Sequence, residues 1–199
     1  MVRFDGAAAD PRDLERQTSR LKHLGPDGVS PWAEGPIAMA QLMMRITRED
    51  GFDAQPVHDG PYTLVADARI DNREALAEAL DIPTDALAEM PDSALLMLAW
   101  RRWGEDTPGH LIGDFVFVVW DADARTLTLA RDHMGQRHVF YHQGEGFFAF
   151  ATEIKGLWAL PDVPRELIAD HFAGLLAFRE AQDIGGTSYA GVRALPGGS

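Results

Sequence analysis

Short apolar runs alternate with turn residues between positions 113 and 155, and this is the clearest pattern in the chain. All six residues of the run 115–120 are apolar, so a strand there would be covered on both of its faces. Gly135 and the segment Gln143–Gly146 have the composition of turns. The pattern predicts an antiparallel meander with strands over residues 115–120, 126–130, 139–141 and 147–150.

Outside this region the apolar runs are interrupted more often, and they predict further strands and loops. Alternating or continuous apolar residues favour strands over residues 1–6, 37–46, 62–70 and 188–195. The glycine and proline residues within 28–35 and the polar residues 47–61 favour loops.

Apolar residues at helical spacing predict five helices, most of them with a recognisable first residue. Asp10 followed by Pro11 begins a helix that ends near His23, and Asp92 caps a helix that continues to Trp103. Shorter helices are predicted with Asn72 as cap, from Thr152 as cap to Leu160, and from Pro164 with Leu167, Ile168, Phe172 and Leu175 facing inward. Helices and strands are segregated rather than alternating, which is typical of the α+β class.

The composition and the charge limit the kinds of partner. Of the 199 residues, 46% are hydrophobic, enough for the core of one ordinary domain or two very small ones. A net charge of -13 argues against nucleic acids and anionic membranes, because both need a basic face. The absence of cysteine excludes disulfides and thiolate metal sites, and no signal or membrane-spanning segment is seen, so we expect a cytoplasmic protein.

Several landmarks occur in a definite order along the chain. They are His23–Gly28, Ala68–Asn72, Gly113–Phe115 with Trp120–Asp121, Arg131–Asp132 with Gly135, Ala151–Lys155 and Thr187–Gly197. In this order they resemble the N-terminal domain of asparagine synthetase, a class II glutamine amidotransferase domain. The resemblance covers nearly the whole chain. It implies the N-terminal-nucleophile fold, a four-layer αββα sandwich of two antiparallel sheets, formed by residues 1–199 as a single domain.

The residues that the family uses for chemistry are not matched. The resemblance implies a cysteine at position 2, whose thiolate attacks the glutamine side-chain amide, yet this chain has Val2 and no cysteine. The oxyanion-binding Asn-Gly pair of the family corresponds to Asp67 and Ala68, and an ionised Asp67 would repel an oxyanion. Arg69 stands where the family has a glutamate.

Two more positions complete this altered pocket. The family arginine that grips the glutamine carboxylate falls near Met43, and Arg45, two residues on, would share its strand face. Asp92 corresponds to the family aspartate that holds the glutamine α-amine, and we interpret it instead as a helix cap. The sequence therefore predicts no catalytic residue and a degenerate pocket formed by Val2, Arg45, Asp67, Ala68, Arg69 and Asp92.

Other candidate residues are interpreted as structural. Asp27 is expected to serve a turn, and the resemblance implies that Arg131 and Asp132 pin a hairpin through ionic and backbone hydrogen bonds. His138 and His142 are four residues apart and would point the same way on a strand, but the spacing offers no third ligand. No metal site is predicted.

The resemblance implies a larger, ATP-dependent amide-forming enzyme. We expect an ATP-pyrophosphatase synthetase domain beyond residue 199, which would be the partner of this domain and would use ATP and Mg²⁺, whereas no cofactor is expected in the present segment. We take the chain to be cut at this domain boundary, the alternative being an orphan domain.

Loss of the nucleophile implies that glutamine is not the nitrogen source. β-Lactam synthetases and lasso-peptide macrolactam synthetases resemble this arrangement, and the segment Leu42–Glu49 looks more like the lasso-peptide type. That type would add a precursor peptide as a partner, and a homodimer is left open. Two alternatives also stay open: an asparagine synthetase domain, dependent on ammonia or glutamine, and a stand-alone, non-catalytic module that binds a small molecule or a protein.

Overall fold

The computed structural model describes residues 1–178 and 183–199, and its internal contacts divide the chain into two compact units. The first unit comprises residues 1–23, 33–38 and 138–196, and the second comprises residues 24–32, 39–137 and 197–199. None of the helices within the described residues combines the length and the apolar character that crossing a membrane requires.

The described residues form two antiparallel sheets. Their strands are β1 (Val2–Arg3), β2 (Gly28–Glu34), β3 (Ile37–Met43), β4 (Val57–Asp59), β5 (Tyr62–Ile70), β6 (Gly113–Asp121), β7 (Thr126–Arg131), β8 (Phe140–Gly144), β9 (Phe147–Ala151) and β10 (Arg193–Ala194). The six-stranded sheet has the order β10-β8-β9-β1-β3-β2, and the four-stranded sheet has the order β4-β5-β6-β7. The four strands predicted between residues 115 and 150 are present, but β6 pairs with β7 in one sheet and β8 pairs with β9 in the other, so the prediction of a single meander is wrong.

The helices are grouped in a few connections between strands and do not follow every strand. Within the described part of the chain they are α1 (Pro11–Leu21), α2 (Arg73–Ala79), α3 (Thr84–Leu87), α4 (Asp92–Trp103), α5 (Ile154–Leu157) and α6 (Ala169–Leu176), with 3₁₀ turns at Lys22–Leu24, Glu49–Phe52 and Gly104–His110. The predicted α+β class is confirmed.

The core of the second unit is built on β5 and β6. These strands pair over their full length, from Tyr62 opposite Asp121 to Ile70 opposite Gly113. All six residues 115–120 are buried, which confirms that both faces of β6 are covered. On one face Phe115, Phe117 and Val119 belong to the same apolar cluster as Leu95 and Leu96 of α4. Burial of such apolar side chains supplies most of the driving force for folding.

The last pair of this ladder requires a glycine. Gly113 has a φ of 149°, and a Cβ added there would lie 2.0 Å from the carbonyl oxygen of Arg69. No neighbouring side chain could relieve this clash, because the obstructing atom belongs to the backbone. The close approach fixes the end of β5 on which Asp67, Ala68 and Arg69 lie.

In the first unit, α1 begins as the sequence predicts. The Asp10 carboxylate accepts a hydrogen bond from the backbone N–H of Arg12 at 2.9 Å, and Pro11 is the first helical residue. Leu14, Gln17 and Leu21 form the buried side of the helix.

Several strand predictions are wrong at their ends or in type: the strand predicted over 37–46 ends at Met43, and the loop predicted over 47–61 contains β4. Residues 28–35 were expected in a loop because of their glycine and proline, but they contribute β2. This strand is last in its sheet, and an edge strand tolerates Pro31 because the missing N–H has no ladder partner to satisfy. The first strand is only Val2–Arg3, and the last is only Arg193–Ala194.

Some helix predictions are also wrong. Pro164 begins no helix, since α6 starts at Ala169, and Leu167, Ile168 and Phe172 are exposed rather than inward. The side chain of Leu175 lies outside the described residues. Asn72 precedes α2 but its side chain bonds to the backbone of His110 and Ile112 instead of capping. The helix predicted from Thr152 starts after Glu153 and covers only Ile154–Leu157.

Candidate functional site

Val2 lies in the middle of a sheet of the first unit. In β1 it is paired with Ile37 of β3 and with Phe148 of β9. Its side chain is completely buried, at 0% exposure. The position that the resemblance assigns to a nucleophile therefore holds a packed hydrocarbon group, which can neither attack a carbonyl carbon nor transfer a proton.

The other five predicted pocket residues belong to the second unit. Asp67 and Ala68 lie on β5, opposite Val116 and Phe115 of β6. The Asp67 carboxylate forms an ion pair with the guanidinium of Arg137 at 3.2 Å. Partial burial raises the pKa of Asp67, and the positive charge of Arg137 opposes that rise. Because the side chain still exposes 48% of its surface, water moderates both effects.

Two glutamines position the strand residue before Asp67, and sequence reasoning missed both. Gln55 brackets Ala66: its Oε1 accepts the Ala66 N–H at 2.6 Å, and its Nε2 donates to the Ala66 carbonyl oxygen at 3.1 Å. Gln41 on β3 donates to the same oxygen at 3.4 Å. The Gln41 Oε1 atom is buried without a hydrogen-bond partner among the residues that the structure describes. A glutamine inside the apolar run 37–43 was the available signal.

Arg69 is held by two carboxylates. Its guanidinium donates to Asp71 at 3.0 Å and lies 3.3 Å from Asp114 of the neighbouring strand. These contacts raise the pKa of Arg69, first through the hydrogen bond to Asp71 and then through the charge of Asp114. Arg69 therefore links the end of β5 to the start of the neighbouring strand β6.

Asp92 does not cap its helix, so that prediction is wrong. Pro91 occupies the cap position, and Asp92 is the first residue of α4. One carboxylate oxygen accepts the backbone N–H of Ile70 at 2.8 Å, and the other pairs with Arg73. Partial burial raises the pKa of Asp92, while the Ile70 N–H and Arg73 act against this rise.

Arg73 is held beside the Asp92 carboxylate by further hydrogen bonds. Besides the carboxylate, its guanidinium donates to the carbonyl oxygens of Leu87 at 3.1 Å and Met90 at 2.6 Å. A protein guanidinium thus occupies the carboxylate that would hold a substrate amine in the family. Sequence reasoning did not single out Arg73, because an arginine in the first turn of a helix has no distinctive pattern.

Arg45 was expected on the strand face of Met43, and this expectation is wrong because β3 ends at Met43. The Arg45 side chain is exposed, and its backbone N–H donates to the Asp27 carboxylate at 2.8 Å. The Asp27 N–H in turn donates to the Met43 carbonyl oxygen at 3.0 Å. Asp27 therefore has the turn role that the sequence predicts.

The structural role of Arg131 and Asp132 is confirmed. Both are buried, at 7% and 1% exposure. Asp132 accepts the N–H groups of Gln136 and Arg137 at 2.8 and 2.9 Å, and Arg131 donates to the carbonyl oxygens of Gly135, at 2.5 Å, and Arg137. Burial would raise the pKa of Asp132, but the hydrogen bonds it accepts outweigh burial and lower it.

The histidines that we considered as metal ligands have other contacts. His142 is buried and its Nδ1 lies 2.7 Å from the Gly191 carbonyl oxygen, whereas the His138 ring stacks on Phe140. Across the described residues, no group of three or more histidine, cysteine, aspartate or glutamate side chains is placed to hold a metal ion.

Comparison with known proteins identifies the family. A model of the glutamine amidotransferase domain matches residues 2–199, and the chain belongs to this family. The chain is 28% identical over 158 residues to glutamine-hydrolyzing asparagine synthetase 3 of Bacillus subtilis (strain 168), which covers 77% of this chain and 26% of that protein. A putative glutamine-hydrolyzing asparagine synthetase of Mycobacterium tuberculosis (strain H37Rv) is 29% identical over 161 residues, covering 75% of this chain and 25% of that protein.

A solved structure confirms the fold class. The glutamine phosphoribosylpyrophosphate amidotransferase from Bacillus subtilis, complexed with ADP and GMP, superposes with a TM-score of 0.63 and 15% identity, covering 77% of this chain and 42% of that chain. At this identity the likeness shows the N-terminal-nucleophile amidotransferase fold alone. The chain spans about a quarter of the length of the asparagine synthetases it matches.

Proposed function

We propose that this chain is a glutamine amidotransferase domain that no longer hydrolyses glutamine. The observation that carries the proposal is the fully buried Val2 at the position of the nucleophile, in a chain without cysteine. Glutamine hydrolysis by this fold requires a thiolate that forms a covalent acyl intermediate. Without one, the uncatalysed amide bond would be attacked only by water.

The second unit supports the same proposal. The tetrahedral intermediate of amide hydrolysis carries an oxyanion that needs hydrogen-bond donors. At the corresponding strand positions stand an acidic side chain, Asp67, and Ala68, and the guanidinium of Arg137 is already paired with Asp67. The carboxylate of Asp92, which would receive a substrate amine, is occupied by Arg73.

Glutamate release tests this part of the proposal. The purified 199-residue chain is incubated with glutamine, and glutamate is measured by a coupled enzymatic assay. We expect no release above a heat-denatured sample across the range from mildly acidic to mildly basic pH. Robust release at any pH would contradict the loss of glutaminase chemistry.

We further propose that the domain is the N-terminal part of an ATP-dependent amide-forming enzyme, specifically a lasso-peptide macrolactam cyclase. Three points support this: the asparagine synthetase relatives, the short share of their length that this chain spans, and the likeness of the segment Leu42–Glu49 to the cyclase type. A synthetase domain of the same protein would bind ATP and Mg²⁺ and activate a carboxylate of a precursor peptide. An amine of the same peptide would then close the ring, so glutamine would not be needed.

An asparagine synthetase that uses free ammonia is the second candidate. The names of the relatives favour an asparagine synthetase, although both relatives are named as glutamine-hydrolyzing. The two enzymes differ in the carboxylate that stimulates pyrophosphate release from ATP. The full-length protein is assayed with aspartate plus ammonium and, separately, with a precursor peptide encoded beside its gene. Stimulation by the peptide alone supports the cyclase, and stimulation by aspartate contradicts it.

A stand-alone binding module is the third candidate, and the reading frame beyond Ser199 separates it from both enzymes. A Ser-Gly-Gly-x-Asp-Ser loop there would supply the backbone amides that bind pyrophosphate in such synthetase domains. Its absence from the full gene would contradict the ligase proposals.

A further inference from the structure

Helix α1 of the first unit carries an arginine on every turn of its exposed side. Arg12, Arg16 and Arg20 are spaced four residues apart, which places them in one row along a helix. The buried residues Leu14 and Leu21 lie on the other side. The row extends about 12 Å along the helix axis, at about 1.5 Å of rise per residue.

This row forms one wall of an open groove with a volume of about 590 Å³. The groove, which we call the arginine groove, is lined by Arg12, Glu15, Arg16, Ser19, Arg20, Trp158, Ala159 and Arg165. All of these residues belong to the first unit. None of them is among the residues on which the proposed function rests.

The charge of the arginine groove is opposite to that of the protein. Its lining contains four arginines and one glutamate, whereas the whole chain has a net charge of -13. Such a local cluster of guanidinium groups in an acidic protein attracts an anionic ligand that is short enough to stay within the groove. An extended polyanion, such as a nucleic acid, would also meet the acidic surface elsewhere.

The arginines retain hydrogen-bond donors for a ligand. Asp10 pairs with Arg12 at 2.7 Å and Asp13 pairs with Arg16 at 2.6 Å, yet the two arginine side chains remain 77% and 50% exposed. Each guanidinium has five N–H donors, so one carboxylate partner orients the group without exhausting it. The Arg20 side chain has neither a hydrogen bond nor an ion pair to any described residue.

Trp158 adds an apolar surface and an unsatisfied donor. Its ring packs edge-on against Tyr189, with the ring centroids 4.6 Å apart. Its indole Nε1 is buried and lacks a hydrogen-bond partner within the described residues. Arg165 is held beside this ring, because its guanidinium donates to the Trp158 carbonyl oxygen at 2.5 Å.

We propose that the arginine groove binds an acidic peptide segment in extended conformation. Alternate side chains of an extended peptide point the same way and are about 6.6 Å apart. Successive arginines of the row are separated by about 6 Å along the helix. Carboxylates at alternate positions of the peptide can therefore meet successive arginines, while an apolar side chain contacts Trp158. Arginine–carboxylate pairs of this kind are strong and directional.

Fluorescence anisotropy tests the proposal with a defined probe. The labelled peptide alternates glutamate and alanine over five residues, so that its three glutamates span about 13 Å in extended conformation and match the arginine row, and the control peptide has glutamine in place of glutamate. We expect the 199-residue chain to bind the acidic peptide and not the control, with affinity falling as salt is added, because exposed charges are screened. Equal binding of both peptides would overturn the proposal.

Matched variants locate the binding surface. The double variant Arg16→Gln with Arg20→Gln should weaken binding about tenfold or more, since two charge-assisted contacts are lost. The double variant Arg102→Gln with Arg125→Gln has the same net charge and changes exposed arginines of the second unit, so it should bind the peptide within about twofold of the parent. Circular dichroism melting confirms that both variants are folded. Equal loss in the two variants would overturn the proposal.

A competition experiment separates peptides from phosphate ligands. Inorganic polyphosphate of the same total charge is added to the bound peptide. We expect it to displace the labelled peptide less effectively than the unlabelled acidic peptide does at the same concentration. Tighter binding of polyphosphate than of the peptide would assign the groove to phosphate ligands and overturn the peptide proposal. Neither result depends on glutamine hydrolysis, so this test can fail or succeed independently of the proposed function.

Discussion

Two of the arginine–aspartate pairs in the second unit differ in the groups to which their side chains bond. Arg131 and Asp132 are buried and bond to the backbone of the loop 132–137, which connects β7 to β8. Arg137 and Asp67 are partly exposed, and their side chains pair with each other across 3.2 Å. The first pair fixes the path of the chain, whereas the second joins two side chains to each other at the position where the sequence predicts an altered pocket.

If glutamine hydrolysis is lost as proposed, the difference explains how an amidotransferase fold can persist without its reaction. Buried charges that satisfy backbone groups are expensive to remove, because a partner would be left unpaired in the protein interior. An exposed ion pair contributes little to stability, so its residues are free to differ from those that catalysis requires. The resemblance noted in the sequence correspondingly includes Arg131 and Asp132 and does not extend to Asp67.

Replacing Asp132 should have the largest effect. In Asp132→Asn the side chain loses its charge and one of its two acceptor oxygens, so either the Gln136 or the Arg137 N–H is left unpaired beside Arg131. We expect a loss of about 3 kcal/mol in the free energy of unfolding, measured by urea titration. Asp123→Asn is the control, because Asp123 is exposed in the β6–β7 turn and should change stability by less than about 0.5 kcal/mol.

Gly135→Ala should have an intermediate effect on the free energy of unfolding, because Gly135 lies in the same loop 132–137. Gly135 has a φ of 65°, and an added Cβ would lie 3.1 Å from the Arg131 guanidinium. The strained backbone and the displaced arginine together should cost about 1–2 kcal/mol in urea titration. Gly109→Ala is the matched control, since nothing lies within 4 Å of a Cβ there. Equal effects of the two substitutions would contradict the conclusion that Arg131 and Asp132 fix the loop 132–137.

The two aspartates should respond to acid with opposite sign. The pKa of Asp132 is lowered in the folded protein, so its contribution is present above the unfolded pKa of about 3.9 and is lost as pH falls through the folded value. The pKa of Asp67 is raised, so protonation at falling pH favours the folded state.

Comparing the parent with Asp132→Asn and Asp67→Asn in urea titrations at several pH values measures these contributions. The advantage of the parent over Asp132→Asn should shrink below about pH 4. Relative to Asp67→Asn, the parent should gain stability as the pH falls. The same direction of change for both pairs would contradict the contrast between the two sites.

The smallest effect is expected from Val2→Cys. Cysteine is close in volume to valine, so the variant should fold with a stability loss below about 1.5 kcal/mol. It should still release no glutamate from glutamine, because Asp67 and the occupied Asp92 remain. A large gain of glutaminase activity would show that the rest of the pocket is intact and that a single atom separates this protein from its active relatives.

The sequence predicted the second unit better than the first. Strand 62–70 was predicted with its observed bounds and the helix after Asp92 with its observed end at Trp103, because long apolar runs and a heavily buried helix face determine them. The segment 164–196 was predicted poorly. Its apolar residues, such as Leu167 and Phe172, are exposed, so their spacing does not report a buried helix face.

For the candidate site, residue types were more predictable than contacts. The absence of a nucleophile at Val2 follows from the residue itself. The partners of Asp67 and Asp92 did not follow, because Arg137 is 70 positions and Arg73 is 19 positions distant along the chain. These charges come together only when the chain folds. Neither of the two separations along the chain corresponds to the period of a helix or a strand.

Intact-mass spectrometry after exposure to an electrophilic glutamine mimic tests the central claim most directly. Such a mimic forms a stable covalent bond with the nucleophile of a working glutaminase. We predict that the 199-residue chain keeps an unchanged mass after prolonged incubation, because the buried Val2 side chain has no atom that can react. A stoichiometric adduct that excess glutamine prevents would contradict the account.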